Sequence, residues 1–141
     1  MKKEMNNKGF SLVELIIVIA IMAVLVGVLA PQYLKYVNNS KVSTDITNAG
    51  TINTAFSAAI ADGSITNSGT FSGTGGTSIN FSQLGITNST GLSMTMWPDS
   101  KVKPGAQWSV TLDLQTGVSK ITLDTIEIFP NSDTYKTAKW K

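Results

Sequence analysis

Residues 9–30 read GFSLVELIIVIAIMAVLVGVLA, and this stretch decides how the rest of the chain is organised. From Leu12 to Leu34 the only charged side chain is that of Glu14. About 20 helical residues cover the roughly 30 Å of hydrocarbon in a bilayer, and in lipid only a helix satisfies every backbone group of such a segment. The stretch therefore predicts a helix that spans a membrane.

Glu14 is a carboxylate within this apolar run, and it needs a partner. A carboxylate toward the middle of a bilayer costs about 2.5–3.5 kcal/mol, and less near an end. A cut between Gly9 and Phe10 would create an α-ammonium group one helical turn before Glu14, on the same helix face. A first-turn carboxylate also offsets the unfavourable position of a cation at a helix N-terminus. The sequence predicts that cleavage supplies the partner; alternatively, Glu14 simply lies in the headgroup region.

This segment resembles the N-terminal signal of type IV pilins and pseudopilins. The shared features are a short basic leader at residues 1–8, Gly9 before the cut, Phe10 after it, Glu14 as the fifth mature residue, and the apolar residues 15–30. The resemblance implies cleavage by a prepilin peptidase after Gly9 and N-methylation of Phe10. It also implies that Glu14 pairs with the terminal amine of a neighbouring subunit and sets the axial register.

The same resemblance implies a set of partners and a location. The partners are identical subunits in a helical filament, the prepilin peptidase, and an inner-membrane assembly platform with its ATPase. The prepilin is expected in the cytoplasmic membrane as a single-pass protein, and the mature subunit in an extracellular or cell-surface filament.

Composition narrows the remaining function classes. The chain has 11 basic and 9 acidic residues, and removal of the leader takes three lysines and one acid, which leaves eight of each. The mature part therefore lacks the basic stripe of a nucleic-acid binder, and no direct nucleic-acid binding is expected. There is no histidine and no cysteine, so the usual general base, the commonest metal ligand and the thiol nucleophile are absent. We therefore expect that the protein is not an enzyme and that it has no cofactor. We also expect no metal site, since Asp99, Asp124 and Asp133 are too dispersed in the sequence to assert a calcium site.

Residues 10–61 are predicted to form one long helix, with a hydrophobic first half and an amphipathic second half. In the second half, polar residues that include Asp45 separate the apolar positions and are expected to face solvent. Asp62-Gly63 predicts the helix end. The apolar positions, at steps of three and four, are Val42, Ile46, Ala49, Ile52, Phe56 and Ile60.

Pro31 and Gly27 mark a weak point inside this helix. A proline removes one backbone hydrogen bond and clashes with the carbonyl four residues earlier, at a cost of about 3 kcal/mol or more. Here that earlier residue is Gly27, which weakens the same turn. We predict a kink or local melting between them, with a smoothly curved helix as the alternative.

The remainder predicts a polar loop followed by an antiparallel sheet. Residues 62–91 are rich in Gly, Ser and Thr and are expected to form a flexible surface loop. Residues 92–141 show alternating apolar positions that predict strands near 92–96, 108–114, 118–123 and 126–129, with a bulge in the third. A sheet with one apolar face can cover the amphipathic helix, which predicts an α+β fold.

The combined prediction is a structural filament subunit with three parts. Residues 1–9 are a leader, 10–34 a transmembrane or filament-core segment, and 35–141 an extracellular head. A pseudopilin of type II secretion and a competence or minor pilin share every N-terminal feature and remain open. A singly anchored surface protein or adhesin is the alternative from another class.

Overall fold

A computed structural model describes residues 9–86 and 91–138 of the chain. The fold is α+β, as the sequence predicts: a long N-terminal helix is followed by an antiparallel sheet. The chain divides into two compact units, residues 1–37 and 38–141. The elements in order are α1 Leu12–Ala61, β1 Gly69–Thr74, β2 Gln107–Asp113, β3 Gly117–Leu123, β4 Ile126–Phe129 and α2 Asp133–Thr137.

The N-terminal unit consists of the apolar part of α1. Helix continues through Gly27 and Pro31, so this chain has no unwound turn at that point. A Cβ atom added at Gly27 would meet nothing within 4 Å. The predicted melting between these residues therefore stays a prediction for the assembled state.

The C-terminal end of α1 is closed by a Schellman motif. Gly63 has φ +75°, a conformation that glycine adopts without strain. Its N–H donates to the carbonyl of Ile60 at 3.1 Å, and the N–H of Ser64 donates to that of Ala59 at 2.9 Å. This is the bond pair expected when a left-handed residue follows a helix, so the predicted stop at Asp62-Gly63 is confirmed.

The second half of α1 packs against the sheet through its apolar stripe. The stripe is buried at Ala49, Ile52, Phe56 and Ala59, and partly buried at its ends. The prediction for Asp45 was wrong, because its side chain is completely buried rather than solvated. Asp45 follows Val42 by three residues and precedes Ala49 by four, so helical spacing places it within the apolar stripe.

The sheet is a four-stranded meander with the order β1-β2-β3-β4, all neighbours antiparallel. Burial alternates along β2, where Trp108, Val110 and Leu112 face the core. Between β2 and β3 the register shifts after Thr111, and Ser119 and Lys120 are exposed in succession. The bulge predicted for this strand is therefore confirmed.

Two strand assignments and one helix differ from the sequence prediction. β1 lies inside the segment predicted to be a loop, because a Gly/Ser/Thr-rich strand carries little intrinsic signal and only Phe71 is buried in it. Residues 92–96 form no strand, and their only ladder contact is the bridge from Ser78 to Met96. The short helix α2 was not predicted. Residues 87–90 and 139–141, which the predicted loop and sheet included, lie outside the described residues.

Gly73 in β1 marks a close approach that explains part of this difference. A Cβ atom at this position would lie 2.0 Å from the indole Nε1 of Trp97, which leaves no room for any side chain. Trp97 is buried and stacks on Phe56 of α1, with ring centroids 5.9 Å apart. The glycine therefore permits the packing of strand, indole and helix rather than signalling a loop.

Candidate functional site

The segment that the sequence marks for cleavage lies just before α1. Gly9, Phe10 and Ser11 have no regular secondary structure, and all three are exposed. The Phe10 side chain is 86% exposed, and a Cβ atom added at Gly9 would meet nothing within 4 Å. The bond between Gly9 and Phe10 is thus outside the helix and open to a protease.

Glu14 supplies the glutamate half of a capping box at the start of α1. The carbonyl of Ser11 accepts the first helical hydrogen bond from the N–H of Leu15 at 3.2 Å, which makes Ser11 the N-cap residue. The N–H of Ser11 donates to Oε2 of Glu14 at 2.8 Å. Sequence reasoning missed this arrangement, although a serine followed three residues later by a glutamate before an apolar run is its sequence signature.

The capping box changes how Glu14 is partnered. In the uncleaved chain its carboxylate already accepts one hydrogen bond from the backbone, so it is not left without a partner until cleavage. A carboxylate has two oxygens and several lone pairs, so Oε2 can hold the helix start while Oε1 accepts another donor. The geometry is compatible with both a capping role and a later ionic role.

The first half of α1 presents its apolar side chains outward in every direction. All residues from 9 to 36 are exposed, and the most apolar 18-residue window has a mean hydropathy of 3.1 with none of it buried. Among the described residues α1 is the one helix long and apolar enough to cross a membrane. A contiguous apolar surface of this size marks a site of contact with lipid or with other protein.

A second buried polar arrangement surrounds Asp45 in the C-terminal unit. Its Oδ2 accepts hydrogen bonds from the hydroxyls of Ser100 at 2.6 Å and Tyr135 at 2.5 Å. Its Oδ1 accepts one from the N–H of Lys101 at 2.8 Å, and Oδ2 another from the N–H of Val102 at 3.2 Å. We call these five residues the Asp45 hub. The hub joins α1, the loop before β2 and the C-terminal helix α2.

Tyr135 is completely buried in the Asp45 hub, and its phenol is held in the neutral form. Burial, together with the hydrogen bond to Asp45 and the negative charge there, raises the pKa of Tyr135 above its usual range. A phenolate facing a carboxylate in a low-dielectric site would be strongly disfavoured. The hub therefore needs the Tyr135 proton.

This raised pKa predicts a loss of stability at high pH. Above about pH 10 the unfolded chain releases the Tyr135 proton while the folded chain keeps it, so the free energy of unfolding falls as pH rises, by about 1.4 kcal/mol per pH unit. Tyr135→Phe should remove this dependence. Urea unfolding of both chains between pH 9 and 11 measures the difference in slope, since all other groups are shared; parallel slopes would contradict the prediction.

The three aspartates considered for a calcium site are not brought together. Asp99 accepts from the N–H of Gly105, Asp124 pairs with Lys103, and Asp133 pairs with Lys136. Hydrogen bonds from Lys103 and from the N–H of Gln107 hold the pKa of Asp124 below its usual value. Among residues 9–86 and 91–138, no group of three metal-ligating side chains lies close enough to hold an ion.

Comparisons with known proteins agree with the N-terminal features. A family model described as the prokaryotic N-terminal methylation motif matches residues 5–30. The chain is 40% identical over 57 residues to the type IV major fimbrial protein FimA of Dichelobacter nodosus, covering 40% of this chain and 36% of that protein. It is 37% identical over 57 residues to a fimbrial protein of Pseudomonas aeruginosa, covering 40% of this chain and 37% of that one.

These matches confirm the resemblance seen in the sequence. The aligned segment spans little more than a third of the length of either relative. No solved structure gives a significant match to the chain.

Proposed function

We infer that this chain, whose N-terminal methylation motif and fimbrial similarity support a type IV pilin, is a structural subunit of a type IV pilus. The observation that carries this inference is the combination of the matched motif with an apolar half-helix whose most apolar 18 residues are all unburied among the described residues. Nothing in such a subunit calls for catalysis, because its task is to pack against copies of itself. The direct test is to image surface fibres and identify their principal component.

The first step of maturation is cleavage after Gly9. The exposed, non-helical Gly9–Phe10 bond supports this assignment, because a bond inside α1 would have to unfold before it could enter a protease site. A prepilin peptidase releases residues 1–9, and the new amine of Phe10 is then methylated. The leader lysines orient the prepilin with its N-terminus in the cytoplasm.

Gly9→Val should block this maturation, because a branched side chain next to the scissile bond would obstruct a site that accepts glycine. We expect the full-length precursor to accumulate while the wild-type chain begins at a methylated Phe10. Mass spectrometry of the N-terminal peptide distinguishes the two. Gly27→Val is the matched control, since nothing lies within 4 Å of a Cβ there, and it should be processed normally. A Gly9→Val chain still shortened by nine residues would refute the assigned cut.

Assembly moves the apolar segment from lipid into a bundle of similar helices. Lipid tails and neighbouring helices are about equally apolar, so the transfer itself changes the environment of these side chains little. This near-balance allows an assembly platform and its ATPase to determine the direction of transfer. Glu14 of the incoming subunit then pairs with the Phe10 amine of a neighbour. Repeated head-to-tail contacts of this kind generate an open helical filament.

The alternative functions are separable by simple observations. A minor or competence pilin would carry the same mature N-terminus but form only a small fraction of the fibre. A pseudopilin would be required for secretion instead of forming an extended surface fibre. A singly anchored adhesin would retain residues 1–9 or lose the whole apolar segment. The similarity to fimbrial proteins favours the pilus over these alternatives.

A further inference from the structure

Backbone hydrogen bonds along β2 alternate between its two neighbouring strands. The carbonyl of Gln107 accepts from the N–H of Asp124, directly after β3, at 2.7 Å. The carbonyl of Ala106 accepts from the N–H of Gly75, directly after β1, at 3.1 Å. In an antiparallel ladder this alternation continues from one residue to the next. The even-numbered residues of β2 therefore bond to β1.

This alternation leaves the outer side of β1 without a partner at Thr70 and Ser72. Phe71 lies opposite the even-numbered Val110, so its N–H and C=O groups bond to β2. The N–H and C=O groups of the residues before and after it consequently point away from β2. Both residues are exposed, and within residues 9–86 and 91–138 no hydrogen bond is made to these four backbone groups. We call Thr70 and Ser72 the β1 edge.

The β1 edge lacks the features that protect the edges of other sheets. Natural edge strands carry charged side chains, a proline or a bulge, or are covered by another element. From Gly63 to Trp97 the chain has no charged residue and no proline, and the register of β1 with β2 is unbroken. At the opposite side of the sheet, β4 carries Glu127, is followed directly by Pro130 and packs against α2. An unprotected edge is a template for another strand.

We propose that the β1 edge pairs antiparallel with the β1 edge of a second copy of this chain, across a two-fold axis at Phe71. Thr70 then lies opposite Ser72 of the partner subunit, and Ser72 lies opposite Thr70 of the partner subunit. Each of these pairs exchanges two N–H···O=C hydrogen bonds, so every outward group is satisfied. Because the edge is neutral, two identical copies meet without like charges opposite each other. β4 is a poorer occupant, because it brings a charge and a flanking proline.

This pairing differs in kind from the head-to-tail contacts of a fibre. A two-fold contact is self-complementary, so it is complete once two copies have met and does not extend further. The inference therefore goes beyond the proposed function and does not depend on it. Its test uses the full-length chain in detergent and requires neither cleavage nor fibre formation, so the two can fail independently.

Amide hydrogen exchange measured by NMR reports directly on the paired groups. Between dilute and concentrated protein, exchange at Thr70 and Ser72 should slow by at least about tenfold, because a paired amide exchanges only when the pair opens. The amide of Phe71 is the internal control, since it bonds to β2 in both states and should not change. Rapid exchange at Thr70 and Ser72 at both concentrations would overturn the proposal.

Cysteine cross-linking tests the register, and the chain has no cysteine of its own to interfere. Chains with Thr70→Cys mixed with chains with Ser72→Cys should form covalent dimers on mild oxidation, because these positions face each other with about 5.5 Å between Cα atoms. Either variant alone should cross-link at least about tenfold less, since identical positions lie diagonally, beyond the roughly 7 Å that a disulfide spans. The matched control is Thr111→Cys mixed with Ser109→Cys, which has the same spacing on the central strand β2 and should not cross-link.

A proline variant tests the hydrogen bonds themselves. Ser72→Pro removes one outward N–H and no bond to β2, and an edge strand tolerates proline at such a position. It should abolish the concentration-dependent protection of Thr70, whereas Ser72→Ala keeps the N–H and should retain the protection. Protection without cross-linking between positions 70 and 72 would show that another segment occupies the edge, and would overturn the pairing of β1 with its own copy.

Discussion

Replacing Asp45 with alanine is expected to lower the free energy of unfolding of the C-terminal unit by about 3–5 kcal/mol. The substitution leaves two hydroxyls and two backbone N–H groups buried without their acceptor. The hydroxyls of Ser100 and Tyr135 could be removed by further mutation, but the N–H groups of Lys101 and Val102 could not. Replacing the whole hub with apolar side chains would therefore still leave two buried N–H groups without an acceptor. At sites where every partner is a side chain, such a replacement can remove all the polar groups. Against a total stability of about 5–15 kcal/mol the loss is large.

The measurement is urea unfolding of the full-length chain in detergent, followed by the fluorescence of the buried Trp97 and Trp108. Tyr135→Phe removes one of four donors to Asp45 and should cost less, about 1.5–3 kcal/mol. Asp133→Ala changes an acid of the same type that is 79% exposed, and should cost at most about 1 kcal/mol. If the free energy of unfolding of Asp45→Ala lay within about 1 kcal/mol of the wild-type value, the hub would contribute little to stability.

Replacing Glu14 with alanine is expected to reduce the yield of filaments by at least tenfold, while cleavage after Gly9 continues. In the proposed filament, Glu14 forms an ionic contact with the Phe10 amine of a neighbour inside an apolar bundle, and truncating one partner of such a buried pair costs about 2–5 kcal/mol. A loss of even about 1.4 kcal/mol per contact reduces association tenfold. Quantifying sheared fibres and the processed subunit in the membrane fraction measures the two steps separately.

Glu14→Gln separates the observed capping contact of this side chain from its proposed ionic role in assembly. Its amide oxygen can still accept the hydrogen bond from the N–H of Ser11, so the capping box and the helix start are retained. The charge is lost, so we expect filament yield to fall as much as is predicted for Glu14→Ala. If Glu14→Gln assembled normally while Glu14→Ala did not, the capping role alone would account for the requirement.

The features predicted from the sequence were those with a long or regular signal. An apolar run of this length, the amphipathic stripe from Val42 to Ile60, and the alternation in β2 each repeat a pattern over many residues. The helical repeat of about 3.6 residues and the strand repeat of two residues differ enough to distinguish a helix from a strand in the sequence. These patterns predicted the α+β fold, because the apolar stripe of the helix and the apolar face of the sheet can each be buried by packing against the other.

The features that were missed depend on partners far away in the chain. Asp45 meets Ser100 and Tyr135 across 55 and 90 residues, so helical spacing could place it in the apolar stripe but could not identify its donors. β1 exists because Phe71 pairs with Val110 and because Gly73 leaves room for Trp97. Neither contact is visible in the local sequence. The capping box at Ser11 and Glu14 differs from these cases, because its signal, a serine followed three residues later by a glutamate, is visible in the local sequence.

The Asp45 hub also holds the C-terminal helix α2 against α1. The chain contains no cysteine, and Tyr135 holds α2 to α1 by a hydrogen bond rather than a covalent link. Folding of this unit therefore needs neither an oxidant nor a thiol isomerase. Reducing agents should leave its stability unchanged, so oxygen-free surroundings would not weaken a fibre built from these subunits.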